Sequence, residues 1–244
     1  MFNFLKKGNN IVRLTTQRRL EQALIKTGIE NPASVTKLIV YGLLTKEDFK
    51  FIRKKMRKTL EELDLTNASF EETKLRNGAL ARCVALTSVT LPNWITEIGD
   101  NALSNCINLK NINIPKSVAK IGELAFWGCS NLSSVVIPDS VTELGFRAFN
   151  NCIALTNITI PHSIVKIGGS AFGNCASLTA ITIPNSVVEI GNGAFANCTG
   201  LNEISIPESV TKIGEWAFEG CDIFITVHPA NPVYASKSGK LIQL

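Results

Sequence analysis

A period of 23 residues runs through most of the chain and constrains its fold more than any other feature. Prolines keep this step from Pro92 to Pro207, and glycines keep it from Gly99 to Gly214. All seven cysteines keep it as well: Cys83, Cys106, Cys129, Cys152, Cys175, Cys198 and Cys221. Because a period of 20–50 residues indicates units that stack side by side, we expect a repeat array rather than an ordinary globular domain.

Each repeat opens with the pattern of a short, half-buried strand, as in residues 109–114 (LKNINI). Alternation turns Ile112 and Ile114 inward and leaves Asn113 facing out. A proline then ends the strand, since proline cannot donate to a sheet ladder. A second inward-facing stretch follows and reaches Ile121. The repeat therefore predicts two short extended segments per turn.

A glycine, an Ala-Phe pair and the cysteine complete each unit. Gly122 is expected to permit a turn that a bulkier residue would strain. The recurring pair Ala125-Phe126 predicts a small and a large side chain that together fill the core, and the remaining length leaves room for a short 3-10 turn only. Looser copies of the strand begin at Val35 and Leu60, and Phe224 and Val227 hold the strand phase at the end, which predicts nine strands.

Both ends of the array carry cap sequences. A first helix is predicted over Thr15–Ile29, with Thr15 or Thr16 as N-cap and Gly28 as its end. A second is predicted over residues 46–58, where Thr45-x-x-Asp48 forms a capping box. Turn residues after His228 predict a final hairpin. The predicted division is residues 1–58 as a basic helical cap with one divergent repeat strand, 59–227 as the solenoid and 228–244 as a C-terminal capping hairpin.

The repeated unit LTNITIPHSIVKIGGSAFGNC (residues 155–175) resembles the BspA-like leucine-rich-repeat family. The resemblance extends from about Thr59 to the C-terminus, and residues 35–66 and 228–241 resemble segments that flank such repeats. It implies a right-handed, curved leucine-rich-repeat solenoid of the α/β class, with mostly short β-strands, 3-10 turns and N-terminal capping α-helices. It further implies adhesion and protein binding at bacterial surfaces, without catalytic residues.

Little in the sequence points to catalysis or to a metal. The only two histidines, His162 and His228, lie about three repeats apart, so they share no metal site or catalytic triad. The cysteines are odd in number, follow the buried Ala-Phe pair and lack C-x-x-C pairs, which predicts a ladder of buried thiols. We therefore expect no enzymatic activity, cofactor, metal or small-molecule substrate.

The N-terminal segment suggests a location and an alternative partner. Residues 1–60 carry 14 Lys and Arg against 4 Asp and Glu, whereas the rest of the chain is mildly acidic. No apolar segment follows the two lysines near Met1, so we expect no signal peptide in the chain as given. The chain as written is then expected to be cytoplasmic, or surface-exposed or secreted if a native N-terminus has been removed. Nucleic acid or an anionic membrane could bind the basic face of the second helix, although a solvated cap is the simpler interpretation: Lys50, Arg53, Lys54, Lys55, Arg57 and Lys58.

Partner binding is predicted for the outward-facing residues of the strands, which would line the concave side. One predicted row runs Ile39, Asp64, Thr90, Asn113, Val136, Thr159, Thr182, Ser205 and His228. The other runs Lys37, Glu62, Ser88, Asn111, Ser134, Asn157, Ala180, Glu203 and Thr226. Four aromatic residues depart from the repeat and are further candidates for partner contact, the alternative being local packing on the turns: Trp94, Trp127, Phe146 and Trp216.

These features together predict a non-catalytic protein-binding scaffold. It would serve as a bacterial adhesion or protein–protein interaction module through its concave strand face. The alternative is an intracellular adaptor whose basic N-terminal cap contacts nucleic acid or anionic membrane. The sequence does not identify the protein partner.

Overall fold

The structure, a computed structural model, describes residues 10–13 and 19–244. The segments follow in this order: β1 (Asn10–Arg13), α1 (Leu20–Lys26), a 3-10 helix (Pro32–Ser34), β2 (Lys37–Leu44), α2 (Lys46–Lys55), β3 (Glu62–Phe70), β4 (Lys74–Leu75), β5 (Ser88–Thr90), β6 (Glu97–Ile98), β7 (Asn111–Asn113), β8 (Lys120–Ile121), β9 (Ser134–Val136), β10 (Glu143–Leu144), β11 (Asn157–Thr159), β12 (Lys166–Ile167), β13 (Glu189–Ile190), β14 (Glu203–Ile206), β15 (Lys212–Ile213), β16 (Phe224–Val227), β17 (Tyr234–Lys237) and β18 (Lys240–Gln243).

The first strand of each repeat joins a parallel sheet, here called the main sheet. Its order is β1-β2-β3-β5-β7-β9-β11, and β14 pairs with β16 further along the chain. Between them the repeat at Ala180 contributes only a bridge to Asn157. Strands of successive repeats pair in parallel with identical positions opposite one another, so the predicted leucine-rich-repeat solenoid is confirmed. β1, which pairs with β2, is an additional strand that the sequence did not predict.

The second extended segment of each repeat forms another parallel sheet, here called the second sheet. It contains the order β10-β8-β6-β4 and the order β12-β13-β15. Each of these strands is two residues long and turns one aliphatic side chain toward the core, as Ile98, Ile121 and Ile167 do. The core therefore lies between two sheets, and each repeat contributes a side chain to it from both.

The core also contains two rows of identical residues that the Ala-Phe-x-x-Cys segment provides. Five phenylalanine rings stack in parallel, with centroids 4.9–5.9 Å apart and interplanar angles of 2–11°: Phe126, Phe149, Phe172, Phe195 and Phe218. From Cys106 onward each thiol donates a hydrogen bond to a backbone carbonyl of the preceding repeat, at 3.1–3.3 Å. All seven cysteines are free, and Cys221 alone among them is only partly buried, which confirms the predicted thiol ladder.

The segment between the glycine and the cysteine alternates two kinds of backbone hydrogen bond. Ala102 N–H donates to Gly99 O within the repeat, whereas Leu103 N–H donates to Ala125 O of the next repeat. Residues with positive φ, such as Asn101 at 55°, set this alternation. The bonds between residues three apart are those of a 3-10 turn, and the bonds to the next repeat extend the ladder around the solenoid.

The repeated glycine is required for close approach rather than for its backbone dihedrals, which corrects the expected reason. A Cβ on Gly145 would lie 2.5 Å from Gly122 C and 2.6 Å from Glu123 N. Both contacts are backbone atoms, which cannot move away without separating the repeats. Gly169 differs, because a Cβ there would meet the side chain of Phe146 at 3.2 Å.

Gly145→Ala is therefore expected to lower the free energy of unfolding by about 3 kcal/mol, because the methyl group forces two turns apart. Urea unfolding followed by circular dichroism measures the change. Gly169→Ala is the matched control and should cost less than about 1 kcal/mol, since the half-exposed Phe146 ring can rotate. Equal losses for the two variants would contradict this account of the glycine row.

The N-terminal cap places both helices against the end of the array. Asp48 is buried, and its carboxylate accepts hydrogen bonds from Leu20 N–H at 2.8 Å and from Thr45 N–H at 2.9 Å. One side chain thus fixes the starts of α1 and α2. α2 ends at Lys55 instead of Lys58, because the backbone turns at Met56 to lead Leu60 into the core.

α1 is shorter than the predicted Thr15–Ile29. It begins at Leu20, and the proposed N-cap residues Thr15 and Thr16 lie outside the described residues. Gly28 has φ +83° and donates to Ile25 O, so it ends the helix as predicted. No helix in the described residues is both long enough and apolar enough to cross a membrane.

Candidate functional site

The outward-facing residues of the main sheet form two rows of exposed side chains, here called the main sheet face. Ser88, Asn111, Ser134 and Asn157 lie opposite one another in successive strands. The second row is similarly in register: Thr90, Asn113, Val136 and Thr159. Ala180, Thr182, Glu203 and Ser205 hold the corresponding exposed positions of the next repeats. The structure thus brings together the strand residues that the sequence singled out, while their role in binding stays a prediction.

The main sheet face carries no charge over five repeats. From Ser88 to Thr182 its exposed side chains are hydroxyls, amides, Ala180 and Val136, whose side chain is 74% exposed. Charged residues lie beyond both ends of this stretch. Lys37 and Glu62 form an ion pair of 2.6 Å at the N-terminal end, and Glu203 is exposed at the other end. Such side chains can donate and accept hydrogen bonds along a straight row, but they lack the Trp, Tyr and Arg anchors of a strong binding centre.

The register at the C-terminal end of the main sheet differs from the prediction. Ser205 pairs with Thr226 and Glu203 pairs with Phe224, whereas the constant period placed His228 and Thr226 at those positions. The reason is a shorter turn, since two residues separate Cys221 from Phe224 but four separate Cys198 from Glu203. Phe224 consequently faces outward and is 56% exposed.

A ladder of alternating charge covers the second sheet and was missed from the sequence. The outward-facing position of its strands is occupied, in chain order, by alternating cations and anions: Lys74, Glu97, Lys120, Glu143, Lys166, Glu189 and Lys212. Ion pairs join Lys120 to Glu143 at 3.4 Å and Lys166 to Glu189 at 3.0 Å. Hydrogen bonds from Lys166 and Lys212 lower the pKa of Glu189. The hydrogen bond between Lys120 and Glu143 raises the pKa of Lys120. From Lys120 to Lys212, every charged side chain of this ladder therefore has a partner of opposite sign.

The four aromatic candidates occupy different surroundings. Trp94 is 40% exposed, yet its Nε1–H donates to Ala68 O at 3.3 Å and its ring packs edge-on against Phe70 at 5.2 Å. Phe146 is 43% exposed, with the Arg147 guanidinium 4.8 Å from its ring centre. Trp216 is 64% exposed. Local packing therefore accounts for the partial burial of Trp94, and partner contact by all four aromatic residues stays a prediction.

Trp127 lies in a groove of about 470 Å³, here called the junction groove, where the cap meets the array. Besides the polar residue Asn105, its lining consists of cations and apolar side chains: Arg57, Lys58 and Arg82, and Val84, Ile107 and Trp127. The sequence does not place an aromatic residue near the basic segment, because Trp127 stands about 70 residues after Arg57. The period had marked Trp127 as a departure, and it also implies that Trp127 lies near Arg82, since Arg82, Asn105 and residues 127–128 occupy adjacent turns.

The predicted basic face of α2 is only partly available to a partner. Arg53 donates to Gly78 O at 2.8 Å and to Ala79 O at 2.9 Å, so it fastens the cap to the first repeat. Lys50 lies 3.7 Å from Glu47. Lys54 and Lys55 are exposed. Arg57 and Lys58 follow the end of the helix and line the junction groove.

Groups suited to hold a metal do not converge in the described part of the chain, where no cluster of three or more His, Cys, Asp or Glu occurs. His162 is exposed on a turn. His228 Nδ1 lies 3.8 Å from Glu208 and accepts a hydrogen bond from Ala230 N–H. The two histidines therefore have separate surroundings, as their spacing predicts.

Similar proteins are found by sequence and by structure. The structure is similar to a leucine-rich repeat protein from Bacteroides ovatus, with a TM-score of 0.69 and 21% identity over 95% of this chain and 58% of that one. It is also similar to the T. pallidum leucine-rich repeat protein TpLRR, with a TM-score of 0.63 and 26% identity over 74% of this chain and 82% of that one. No curated protein sequence matches the chain.

The repeat itself has a family match that covers well over half of the chain. The family described as BspA type leucine rich repeat region matches with six copies, over residues 56–176 and 125–235. Repeats of this family indicate a scaffold for protein interaction or for a cell surface, generally without catalysis. The chain belongs to the BspA-type leucine-rich repeat family.

Proposed function

We propose that the protein is a bacterial adhesion or protein–protein interaction module that binds its partner on the main sheet face. The observation that carries the proposal is the contrast between the two sheets. The second sheet presents a Lys or Glu in every repeat and pairs those from Lys120 to Lys212 with one another, whereas the main sheet presents only uncharged side chains, mostly hydroxyls and amides, from Ser88 to Thr182.

Uncharged polar rows suit a partner with an extended backbone or polar side chains. Donors and acceptors recur at the strand spacing of about 4.8 Å, so a partner that lies along the sheet can form several hydrogen bonds without desolvating a charge. Each hydrogen bond contributes only about 1 kcal/mol. The length of the face, rather than one anchor residue, would then determine the affinity.

The experiment begins with partner capture through a photo-crosslinking amino acid at Asn113, followed by binding measurements with the purified partner. Val136→Arg with Thr159→Arg places two bulky charges at the centre of the main sheet face and is expected to weaken binding at least about tenfold. Thr142→Arg, an exposed residue beside the second sheet in the same repeat, is the matched control and should leave affinity unchanged. Unchanged binding by the double variant would refute the use of this face.

The basic cap supports a second candidate function, an adaptor that holds nucleic acid or anionic membrane. Its support is the exposed pair Lys54 and Lys55 beside Arg57 and Lys58. Lys54 and Lys55 line a groove between α1 and α2 together with the acidic residues Glu21 and Glu47. These two carboxylates reduce the attraction of the groove for phosphate groups. Binding to an anionic vesicle or oligonucleotide that falls steeply with salt and vanishes when the four cations are neutralised would favour this function.

A further inference from the structure

The junction groove combines three cations with three apolar side chains at the boundary between cap and array. Backbone hydrogen bonds fix its walls: Ala85 N–H donates to Arg57 O at 3.1 Å, Arg82 N–H to Ser104 O at 2.7 Å and Asn105 N–H to Trp127 O at 2.6 Å. Three successive turns and the end of the cap are thereby held together. A ligand would meet a surface that is formed before it binds, which lowers the entropy cost of binding.

Two of the groove residues depart from their rows in the repeat. Arg82 has φ 61°, a conformation that favours Asn and Gly. The other members of its row are Asn105, Gly128, Asn151, Asn174, Asn197 and Gly220. The row of Trp127 otherwise holds Ala81, Ser104, Asn150, Gly173, Ala196 and Glu219. The repeat requires neither an arginine nor a tryptophan at these positions, yet both departures line the same groove.

The cations of the groove have no ion-pair partner among the residues that the structure describes. In the described part of the chain, no carboxylate lies within 4.0 Å of the charged nitrogens of Arg57, Lys58 or Arg82. This contrasts with the second sheet, where Lys120, Lys166 and Lys212 are each paired with a glutamate. The groove therefore presents a net positive charge beside an apolar surface.

We propose that the junction groove binds an acidic peptide segment of a partner protein, with a large apolar side chain between its carboxylates. The apolar side chain packs against Val84, Ile107 and Trp127, while the carboxylates accept hydrogen bonds from the two guanidinium groups, which can bind carboxylates through two parallel bonds. Trp and Arg are the residue types that dominate binding energy at protein interfaces. This site is separate from the main sheet face and does not depend on it.

A peptide fits the groove better than a nucleic acid does. Binding of single-stranded nucleic acid uses a series of aromatic rings on which successive bases stack, whereas the groove offers one tryptophan beside two aliphatic side chains. A volume of about 470 Å³ lies within the range of roughly 300–1,000 Å³ found for small-ligand pockets. This volume accommodates a few side chains of a short peptide, but not a whole helix.

The test is a titration with the pentapeptide Glu-Asp-Phe-Asp-Glu, followed by two-dimensional NMR of the indole N–H groups. The protein has three tryptophans, so Trp94 and Trp216 serve as internal controls. The peptide is expected to move the Trp127 signal in a saturable manner and to leave the other two unchanged. Controls are the amide counterpart Gln-Asn-Phe-Asn-Gln, the peptide Glu-Asp-Gly-Asp-Glu and an oligothymidylate.

Variants that restore the residues of the repeat test the same site without endangering the fold. Arg82→Asn is expected to weaken peptide binding about tenfold, and Trp127→Ser to abolish it in an anisotropy assay with fluorescein-labelled peptide. Trp216→Ser should bind as the wild type does. A Trp127 signal that does not move at millimolar peptide, or that moves equally with the amide counterpart, would overturn the proposal. Tighter binding of oligothymidylate at the same signal would reassign the groove to nucleic acid.

Discussion

Raising the pH from 8 to 10 under reducing conditions is expected to lower the free energy of unfolding by about 8 kcal/mol, because six thiols are held protonated in the core. Burial raises the pKa of Cys83, Cys129 and Cys198 to about 12. It raises the pKa of the remaining buried thiols above their ordinary 9.0 as well: Cys106, Cys152 and Cys175.

The sign follows from the number of protons bound by each state. Above pH 9 the unfolded chain releases thiol protons, whereas the folded chain retains them until the pH approaches 12. Stability that is fully present well below pH 9 is therefore lost as the pH rises through 9, and the six thiols together account for the loss of about 8 kcal/mol between pH 8 and 10. Since natural domains are stable by about 5–15 kcal/mol, a loss of this size removes most of the folding free energy.

Urea unfolding at the two pH values, followed by circular dichroism, measures the effect. The variant Cys129→Ala with Cys152→Ala is the control. It is less stable at pH 8 because of the small cavities, but its loss between pH 8 and 10 should be about one third smaller than that of the wild type. An equal pH dependence in the two proteins would show that the thiols are not the cause.

Phe149→Ala is expected to lower the free energy of unfolding by about 4 kcal/mol, since it removes a fully buried ring and leaves a cavity. The ring lies between two others, at 4.9 Å from Phe126 and 5.9 Å from Phe172, and both neighbours would lose a stacking partner. Urea unfolding measures the loss.

Two further variants separate burial from aromatic identity. Phe146→Ala removes a half-exposed ring three residues earlier in the same turn and should cost less than about 1 kcal/mol. Phe149→Leu introduces the residue found at Leu80 and Leu103 of the same row and should cost roughly half as much as Phe149→Ala. If Phe146→Ala were as destabilising as Phe149→Ala, the stack would not be the source of stability.

The fold was largely predictable because one period governs both the sequence and the stacking. Cysteine and phenylalanine recur every 23 residues, and stacked repeats place equal phases in one row, so burial of Cys106 and Phe126 follows from the spacing alone. The inward and outward alternation of the strands was equally predictable, as Ile112 and Asn113 show. These features depend on local periodicity and therefore need no knowledge of long-range contacts.

Prediction failed where the period changes or where separate segments meet. The shorter turn after Cys221 moved Phe224 to the outside, although the constant period placed it in the core. The close approach at Gly145 depends on backbone atoms of the adjacent repeat, which composition does not reveal.

The two candidate sites also differ in whether they follow the 23-residue period. The main sheet face was predictable from Ser88 to Ser205, because its rows follow the period. The junction groove was not, since it joins the end of α2 to Arg82 and Trp127 across three turns. Comparison of the repeats marked Trp127 as a departure, but the same comparison was needed for Arg82, and the groove that the two residues share does not follow from the spacing.

The stacking of successive repeats in register is tested most directly by a distance along one row of the main sheet face. Spin labels at Thr90→Cys and Ser205→Cys, in a Cys221→Ala background that leaves only buried native thiols, span five repeats. Pulsed electron paramagnetic resonance should give a narrow distribution centred near about 24 Å, five times the strand spacing. A broad distribution, or one centred beyond roughly 40 Å, would contradict a continuous solenoid with one residue of each repeat in every row.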